Sequence, residues 1–515
     1  MGRMESMVTQ PSGSLLPRAP IPAIERPAIG LLVILAGVSF VAHMLVAGNY
    51  GYFRDELYYI ADGWHLQAGY VDQPLLMGWL AALMRVIAGD SLVAIHIIPA
   101  LASALIIVVT GLMAYELGGG RMAQLVAGVA ALFTLDFMAT GSIFSMDVLD
   151  QLWWALASLI LVRLLRQNRP RLWLLVGLVI AIGLLTKVTM LFFCLALALA
   201  LLVTPERRYL RTRWPWLAAV IAGLGLLPYV IWNALNGWPT IEFWRHYGGV
   251  GTGPLPFFTA QIGQLNPIAF PLAAAGLVFY FRMTGARYRL LGWAFVFVYL
   301  VLTLIGTKPY ILAPAYPILF AAGAAEFERL RLPRWLAWLR PAYVAVLALV
   351  GILLAPAVMP ILPPATAVRS YGAFAQLLGD RFGWDSLTEI VQQIYTALPL
   401  AQRAQACILT ENYGEAGAFS QLAAPGRLPP VISGHNNYYL WGPGTCTGDV
   451  LILVGYTLST AQIESLHAYY ANITLAATQR CQYCMASENN LPIYILSSPT
   501  SPVFPQLWDS LKHYD

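Results

Sequence analysis

The sequence predicts a polytopic α-helical membrane protein that carries a small α/β domain at its C-terminal end. Three observations lead to this fold class. The 515-residue chain is 59% apolar and only 11% charged, with a mean hydropathy of +0.66. Apolar runs long enough to span a bilayer recur from Ile29 to Leu362. The remainder, from Pro363 onward, is polar and alternates strand-like with helix-like segments.

The composition excludes several protein classes. Soluble globular proteins carry roughly 25% charged residues, so the charges here could not cover one soluble core of this size. Disordered and collagen-like chains are excluded by the same apolar content. The net charge of +5 is unevenly divided, because residues 1–362 hold 24 Lys and Arg against 15 Asp and Glu, and residues 363–515 hold 6 against 10. The basic excess indicates membrane topology rather than nucleic-acid binding.

Each apolar run of helix length is predicted to be one membrane span of about 20 residues. The segment before the first run, Met1–Arg26, is polar and contains prolines, so a signal peptide is not expected. Two short runs share a boundary near Lys187. The eleven predicted spans cover residues 29–47, 92–115, 122–140, 148–165, 172–186, 188–203, 215–234, 262–281, 290–306, 311–326 and 342–361.

The basic residues predict which connections face the cytoplasm. With the N-terminus inside, the cytoplasmic segments hold 19 Lys and Arg, whereas the opposite connections hold only five, Arg54, Arg85, Lys187, Arg245 and Lys308. This segregation supports eleven spans, since a wrong count would mix the two sides. The sequence therefore predicts a protein of the plasma (inner) membrane with a cytoplasmic tail at 1–28, a transmembrane domain at 29–362 with an exterior loop at 48–91, and an exterior domain at 363–515.

The exterior domain is predicted to be a small α/β unit of about 150 residues. Its strand-like runs lie near 407–410, 431–434, 450–455, 473–477 and 492–496, and its helical patterns near 374–398, 414–422 and 460–470. An oxidising exterior favours a structural disulfide in one of three pairings. The last two cysteines, in Cys481-Gln-Tyr-Cys484, also have zinc-ligand spacing, although the sequence has no second pair of this kind. The disulfide candidates are Cys407, Cys446, Cys481 and Cys484.

The first exterior loop holds the strongest candidate for a catalytic site. It contains Arg54-Asp55-Glu56-Leu-Tyr58 just past the first predicted span and continues to Asp72. A carboxylate among aromatic residues at the lipid–water boundary is partly desolvated, so its proton affinity rises and it can accept a proton from a hydroxyl. A solvated loop with ordinary interfacial aromatic residues is the alternative. The adjacent acids together with Asp72 favour a functional loop.

A second group of charged residues is predicted to face the same side. Asp147 and Asp150 lie at the outer end of one predicted span, three residues apart and therefore on one helix face. Acids at that depth are costly and usually functional, although helix capping by Asp147 explains that residue equally well. Exterior cations could hold a lipid phosphate, or could extend toward ordinary lipid headgroups. The candidates are Lys187, Arg245, and Lys308 beside Tyr310.

Taken as a set, these residues resemble a known family. Over roughly residues 29–330 the chain is similar to the GT-C fold glycosyltransferases of family 39, which use lipid-phosphate sugars. The family includes the protein O-mannosyltransferases and the aminoarabinose transferase that modifies lipid A. At Leu75 the chain departs from the fuller family pattern, in which a second proline is common. The matching motifs are Arg54-Asp55-Glu56-Leu-Tyr-Tyr, Gly69-Tyr-Val-Asp72-Gln-Pro74, Ser145-Met-Asp147, Lys187 and Lys308-Pro-Tyr310-Ile-Leu-Ala-Pro314.

The resemblance implies a reaction and a set of roles. The enzyme would move a hexosyl or pentosyl group from a polyprenyl-phosphate donor to an acceptor hydroxyl on the exterior face, with inversion. Asp55 would be the acceptor-side base, with Glu56 and Asp147 as the other catalytic acids. The tail residues His435, Asn436 and Tyr438 are sugar-contact candidates, with a tight Asn-rich turn as the alternative. The remaining substrate-binding candidates are Arg54, Tyr58, Asp72, Asp150, Lys187, Arg245, Lys308 and Tyr310.

Two other functions are compatible with the sequence. A polytopic transporter would place charges near the bilayer midplane, whereas the acids here cluster at one face. A lipid-linked glycan polymerase or ligase would use a related donor. The transfer chemistry requires no cofactor, and the sequence shows no evident metal-ligand cluster, although a divalent cation stays open. The expected partners are the polyprenyl-phosphate sugar, membrane lipids and an acceptor that could be a lipid, a glycan or a protein, with no nucleic acid.

Overall fold

The membrane part is a bundle of long apolar helices. The structure, a computed structural model, describes residues 26–247, 251–372, 376–500 and 504–515, so most of the predicted cytoplasmic tail lies outside the described residues. Within these ranges, seven helices are long and apolar enough to cross a membrane. They are Ile29–Val46, Leu92–Glu116, Met146–Gln167, Arg213–Leu235, Met283–Leu304, Pro309–Arg329 and Arg334–Ala357.

Three further predicted spans are pairs of helices that bend at a short break, which raises the count in the described chain to ten. The remaining predicted span, 172–186, matches a shorter apolar helix, Pro170–Thr186. Every predicted span is therefore helical, but fewer than eleven have full length, because hydropathy does not reveal bends or short helices. The bent pairs are Arg121–Leu132 with Leu135–Gly141 (61°), Met190–Val203 with Pro205–Arg211 (105°) and Pro254–Leu265 with Phe270–Phe281 (112°).

The sharpest of these bends is fixed by Asn266. Its φ of +106° lies in the left-handed region and interrupts the helical path after Leu265. Its side-chain amide donates hydrogen bonds to the carbonyl oxygens of Phe133 and Leu347, each at 3.2 Å. Because all of these groups lie inside the bundle, the polar contacts hold the break in one geometry.

Glycine allows two of the membrane helices to pack closely. The helix Phe270–Phe281 lies against Tyr316–Arg329, and a Cβ atom built on Gly276 would be 2.0 Å from the carbonyl oxygen of Leu319. Small residues at such points let helix backbones approach each other in membranes, where packing replaces the hydrophobic effect. Any larger residue at Gly276 would force the two helices apart.

The loop predicted to be exterior, residues 48–91 and called the exterior loop below, contains two helices, Arg54–Trp64 and Leu76–Ala88. Another helix, Pro239–Tyr247, follows a later span. The C-terminal domain contains a five-stranded sheet with helices around it, as predicted. Its helices are Pro364–Tyr371, Gln376–Gly379, Trp384–Ala397, Leu400–Arg403, Tyr413–Leu422, Asn437–Trp441, Thr460–Leu466 and Phe504–Leu507.

The sheet has the strand order β2-β1-β3-β5-β4. Strand β1 pairs in parallel with β2 and β3, while β5 pairs in antiparallel fashion with β3 and β4. All five residues of β1 and of β3 are buried, as expected for strands covered on both faces. The strands are β1 (Ala406–Thr410), β2 (Val431–Ser433), β3 (Val450–Val454), β4 (Tyr470–Gln479) and β5 (Leu491–Pro499).

A disulfide bond cross-links two segments of this domain. Cys407 on β1 is bonded to Cys446, with the two Cα atoms 5.9 Å apart. Of the pairings left open by the sequence, the structure thus selects the one that closes a loop of 39 residues between neighbouring strands. Cys481 and Cys484, the other two candidates, keep free thiols in the described chain.

The C-terminal domain packs directly on the exterior loop. The helix Tyr413–Leu422 approaches Arg54–Trp64 so closely that a Cβ atom on Gly417 would lie 2.8 Å from the Cβ atom of Leu57. Asn437 adds a second contact, because its side-chain amide donates to Asp62 Oδ1 at 2.8 Å. The domain therefore forms a wall over the ends of the membrane helices.

Candidate functional site

A cavity of about 890 Å³ lies where the exterior loop, the ends of the membrane helices and the C-terminal domain meet. Its volume is in the range of pockets that hold small molecules. The membrane helices give it apolar walls, and the loop, the C-terminal domain and the ends of the membrane helices give it polar groups. The predicted site residues that line it are Arg54, Asp55, Tyr58, Asp72, Asp147, Lys187, Lys308, Tyr310 and Asn436.

Asp55 is placed by the first turn of the helix Arg54–Trp64. Its side chain is 32% exposed and lines the cavity. The Tyr413 hydroxyl donates a hydrogen bond to Oδ1 at 2.8 Å, and Nε of Arg54 lies 3.8 Å from the same oxygen. The carboxylate is thus held at one oxygen and reachable from the cavity, as a general base must be.

Glu56 does not join Asp55 at the cavity, contrary to the sequence prediction. Neighbouring residues of a helix point about 100° apart, and Glu56 is turned inward with none of its surface exposed. The N–H groups of Phe53 and Phe144 donate to its carboxylate at 2.8 and 2.6 Å, and Nε2 of His96 lies 2.7 Å away. In the described chain the cavity lining includes Asp55 but not Glu56. This environment is that of a structural carboxylate.

Asp147 and Lys187 meet on another wall of the cavity. Asp147 is the second residue of the helix Met146–Gln167. The Ser145 hydroxyl, just before this helix, accepts a hydrogen bond from the N–H of Asp147 at 3.4 Å. A carboxylate in this first turn is favoured by the helix dipole. Asp147 forms an ion pair with Lys187, whose Nζ lies 5.3 Å from the centroid of the Tyr310 ring. Asp147 can therefore both stabilise the start of its helix and take part in the site through Lys187.

Two predicted substrate-binding residues of the membrane part and its connections lie outside the lining of the cavity that the described residues form. Asp150 is buried one turn beyond Asp147, where Nε1 of Trp154 and the hydroxyl of Thr189 donate to its oxygens at 3.0 and 2.7 Å. These bonds satisfy a carboxylate that faces the bundle interior. Arg245 is exposed, and its neighbour Trp244 lines the cavity instead.

The C-terminal domain supplies Tyr413, which the sequence analysis did not select. Tyr413 begins the helix that follows β1, and a capping box fixes this first turn. Asn412 Oδ1 accepts from the N–H groups of Gly414 and Glu415 at 2.9 and 3.0 Å, and Glu415 Oε2 accepts from the N–H of Asn412 at 3.3 Å. Ligands commonly bind beyond the carboxyl ends of parallel strands. In the sequence, the feature that could have indicated Tyr413 is the capping box Asn412–Glu415 directly after an apolar strand.

The residues after β2 are only partly at the cavity. Asn436 lines it, in a turn with φ of +47°. The His435 ring is buried behind this turn, 4.7 Å from the Tyr413 ring. Tyr438 is buried against Trp441, with ring centroids 4.6 Å apart. Within the described chain, the structure therefore does not bring His435 and Tyr438 to the cavity surface as predicted, because the Asn-rich turn directs both side chains inward.

The surroundings of Asp72 raise the pKa of its carboxyl group. It lies half-buried on the cavity wall, and the Tyr58 hydroxyl donates to its Oδ1 at 3.0 Å. Burial raises the pKa of Asp72 to about 7 against the effect of this hydrogen bond, and the charge of Asp55 adds to the rise. An unfolded aspartate titrates near about 3.9. The folded chain therefore binds more protons between these pKa values, so the free energy of unfolding decreases as pH rises through this range.

Asp72→Asn is expected to reduce the loss of stability between about pH 5 and about pH 8, because asparagine carries no charge to bury. Its side-chain oxygen can still accept the Tyr58 hydrogen bond. The thermal unfolding midpoint of both proteins at both pH values measures the effect. Asp90→Asn, which changes an exposed acid of the same loop, is the matched control. An equal pH-dependent loss in wild type and Asp72→Asn would contradict the pKa assignment.

Comparison with known proteins adds a family relation. Residues 72–232 match the dolichyl-phosphate-mannose-protein mannosyltransferase family. The matched region contains Asp72, Asp147 and Lys187 and begins after Asp55. A region of 280 residues is 29% identical to the lipid A galacturonosyltransferase RgtD of Rhizobium johnstonii. That match covers 52% of this chain and spans only 55% of the relative's length.

Solved structures show the same fold over most of the chain. ArnT from Cupriavidus metallidurans bound to undecaprenyl phosphate is similar with a TM-score of 0.59 and 14% identity, over 92% of this chain and 100% of that chain. The arabinofuranosyltransferase AftD from Mycobacteria is similar with a TM-score of 0.50 and 15% identity, over 92% of this chain and 40% of that chain. These findings confirm the predicted resemblance: the chain has the GT-C fold seen in the solved structures, and residues 72–232 match the dolichyl-phosphate-mannose-protein mannosyltransferase family.

Proposed function

We propose that this protein is a membrane glycosyltransferase that moves a sugar from a polyprenyl-phosphate donor to an acceptor hydroxyl, with inversion. The observation that carries the proposal is the composition of the cavity. One chamber at the ends of the membrane helices is lined by a reachable carboxylate, Asp55, and by two lysines, Lys187 and Lys308. A base for the acceptor and a cation for the leaving phosphate are what this transfer requires.

In the proposed reaction the acceptor oxygen attacks the anomeric carbon while the bond from that carbon to the donor phosphate oxygen breaks. The hydroxyl proton passes to Asp55, and the electron pair of the breaking bond leaves with the polyprenyl phosphate. Inversion follows because there is one displacement. Lys187 and Lys308 would stabilise the charge that grows on the phosphate. Asp147, through its ion pair, would hold Lys187 in position.

The lining of the cavity supports an amphipathic donor. A polyprenyl chain needs apolar walls that continue into the bilayer, whereas its sugar needs polar groups. The similar structure of ArnT contains bound undecaprenyl phosphate, which supports a polyprenyl-phosphate donor. The relative RgtD is a lipid A galacturonosyltransferase, so lipid A is the first acceptor to test. The apolar residues of the lining include Leu135, Ile143, Pro256, Val358 and Leu377.

We infer that the cavity opens to the exterior face of the membrane. The cationic residues that line it, Arg54, Lys187 and Lys308, belong to the connections that are poor in basic residues. The opposite connections hold most of the Lys and Arg, which is typical of cytoplasmic segments. A donor lipid would then be used after it has been moved across the bilayer.

The test is transfer of labelled sugar by the purified full-length chain in lipid nanodiscs. A panel of undecaprenyl-phosphate sugars is offered with lipid A and, separately, with a glycan and a peptide acceptor. Labelled acceptor that depends on one donor supports the proposal and identifies the sugar. Folded protein that neither transfers nor hydrolyses any lipid-linked sugar would contradict it and favour transport.

Tyr413→Phe tests the contribution of the C-terminal domain. The variant loses the hydrogen bond to Asp55 and keeps the ring stacked on Tyr58, at 4.6 Å between centroids. A hydrogen bond to a charged group contributes about 1.5–3 kcal/mol to stability, so we expect the free energy of unfolding to fall by up to about that much. Transfer is expected to fall by up to about 100-fold, because a displacement of a catalytic group by about 1 Å can cost that much in rate. Initial transfer rates measure the effect. Tyr439→Phe, whose hydroxyl binds Asp509 outside the cavity, is the control, and equal rates would contradict this role.

A further inference from the structure

We propose that His435, His513 and Asp515 bind a divalent transition-metal ion at the wall of the cavity, and that the ion is Zn²⁺ by its ligand chemistry. One potential ligand atom from each residue lies within 4.8 Å of the other two. Two imidazole nitrogens and a carboxylate oxygen are a donor set that zinc commonly takes, with a further position left for water or a substrate oxygen. The site does not depend on the proposed transferase activity.

Backbone pairing, rather than chance contact of side chains, brings these residues together. His435 follows β2, and His513 lies beside it as an isolated parallel bridge. The N–H of Asn436 donates to the carbonyl of His513, and the N–H of His513 donates to the carbonyl of Gly434, each at 3.1 Å. A Cβ atom on Gly434 would lie 1.9 Å from the carbonyl oxygen of Leu511, so this close approach requires glycine.

The orientation of His513 points to a cation. Its Nδ1 lies 2.8 Å from the carbonyl oxygen of Leu511, and its Nε2 lies 3.0 Å from the carbonyl oxygen of Glu411. A neutral imidazole has only one N–H group, so one of these contacts has no proton to share. Metal-ligating histidines usually donate the other ring N–H to a carbonyl, as Nδ1 can do here. A cation bound at Nε2 would also be stabilised by the partial negative charge of the nearby Glu411 carbonyl oxygen.

His435 and Asp515 complete the set. The Nε2 atom of His435 lies 2.9 Å from Asp515 Oδ1, and the two histidine rings are stacked with centroids 4.5 Å apart. His435 is buried, whereas Asp515 is exposed and lines the cavity. An ion bound here would therefore have protein ligands on one side and the cavity on the other.

The proposed ion would lie next to the part of the site that touches Asp55. The His435 ring packs 4.7 Å from the Tyr413 ring, and the Tyr413 hydroxyl donates to Asp55. Fixing His435 would restrict the movement of Tyr413. The ion would thus act as a structural tie between the segment that ends at Asp515 and the wall that carries Tyr413.

The test is zinc binding by the full-length chain, purified without a polyhistidine tag, stripped with a chelator and titrated with Zn²⁺ alone. We expect one tightly bound ion per chain. His513→Ala and Asp515→Asn should each weaken binding by more than the roughly 10- to 100-fold that the loss of a supporting hydrogen bond causes. Both residues are partly or fully exposed, so both variants should fold. Co²⁺ in place of Zn²⁺ gives a visible spectrum that reports imidazole ligation.

Two controls separate this site from others in the same domain. His467→Ala changes an exposed histidine outside the cluster and should leave zinc affinity unchanged. Cys481→Ser with Cys484→Ser removes the other pair of residues that could hold zinc and should also leave it unchanged. No stoichiometric binding by the wild type, or binding that survives His513→Ala and Asp515→Asn, would overturn the proposal.

Discussion

Asp55→Asn is expected to reduce sugar transfer by about 10²- to 10⁴-fold, the usual contribution of a positioned general base. Asparagine has nearly the same shape and can still accept the hydrogen bond that Tyr413 donates to Oδ1. It cannot accept a proton from the acceptor hydroxyl. Binding of the donor should be retained, because in the proposed reaction the phosphate is held by Lys187 and Lys308 rather than by Asp55.

Two measurements on the same sample give this result. Single-turnover transfer with saturating labelled donor reports the chemical step, and retention of labelled donor on nanodiscs reports binding. Asp90→Asn, in the same exterior loop but exposed, is the matched control and should transfer as the wild type does. Transfer by Asp55→Asn at the wild-type rate would leave the enzyme class standing and remove Asp55 as the base. Loss of donor binding would assign Asp55 to the donor instead.

Glu56→Ala is expected to act on stability, although Glu56 is the neighbour of Asp55 in the chain. Burial by itself raises the pKa of Glu56, but the nearby charges of His96 and Arg381 and the Phe144 N–H outweigh it and lower the pKa. The carboxylate is thus favoured in its charged form. Removing it leaves the buried N–H groups that it accepts from, and the buried Arg381 guanidinium, without their partner, which typically costs about 3–5 kcal/mol. We expect less folded protein and a lower unfolding midpoint.

The thermal midpoint of the detergent-purified protein measures this loss, with Asp90→Ala as the control for removing an acid from the same loop. Glu56→Gln should lose less stability than Glu56→Ala, because its amide oxygen can still accept one of the hydrogen bonds. Wild-type stability of Glu56→Ala combined with lost transfer would contradict the structural role and return Glu56 to the catalytic group. The transfer rate therefore tests the role of Asp55, and the thermal unfolding midpoint tests the role of Glu56.

The sequence was sufficient to predict the parts of the site that depend on topology. Asp55, Asp147 and Lys187 each lie beside the end of an apolar helix, and basic residues segregate between alternate connections. These two facts predict that all three residues face one side of the membrane without any knowledge of helix packing, and the structure places all three at the cavity. The five strands were likewise predictable, because each contains a short run of alternating or continuous β-favouring residues, although β4 extends beyond its predicted run at both ends.

What depends on packing could not be predicted in the same way. The direction of Glu56 is set by His96 and by the N–H of Phe144, which lies 88 residues away in the chain. The contact between Tyr413 and Asp55 spans 358 residues. Hydropathy also cannot show that Asn266 bends its span, since the bend follows from contacts with Phe133 and Leu347.

The division of the cavity between distant parts of the chain has a consequence for biosynthesis. Asp55 and Asp515, which both line it, are separated by 460 positions. Ribosomes add about 5–20 residues per second, so about 20–90 s pass between the synthesis of these two residues. During that interval the membrane helices can insert while the chamber still lacks the wall that carries Tyr413. For the proposed transferase, we therefore expect a nascent chain to meet donor lipid without consuming it until the C-terminal domain has folded onto the loop.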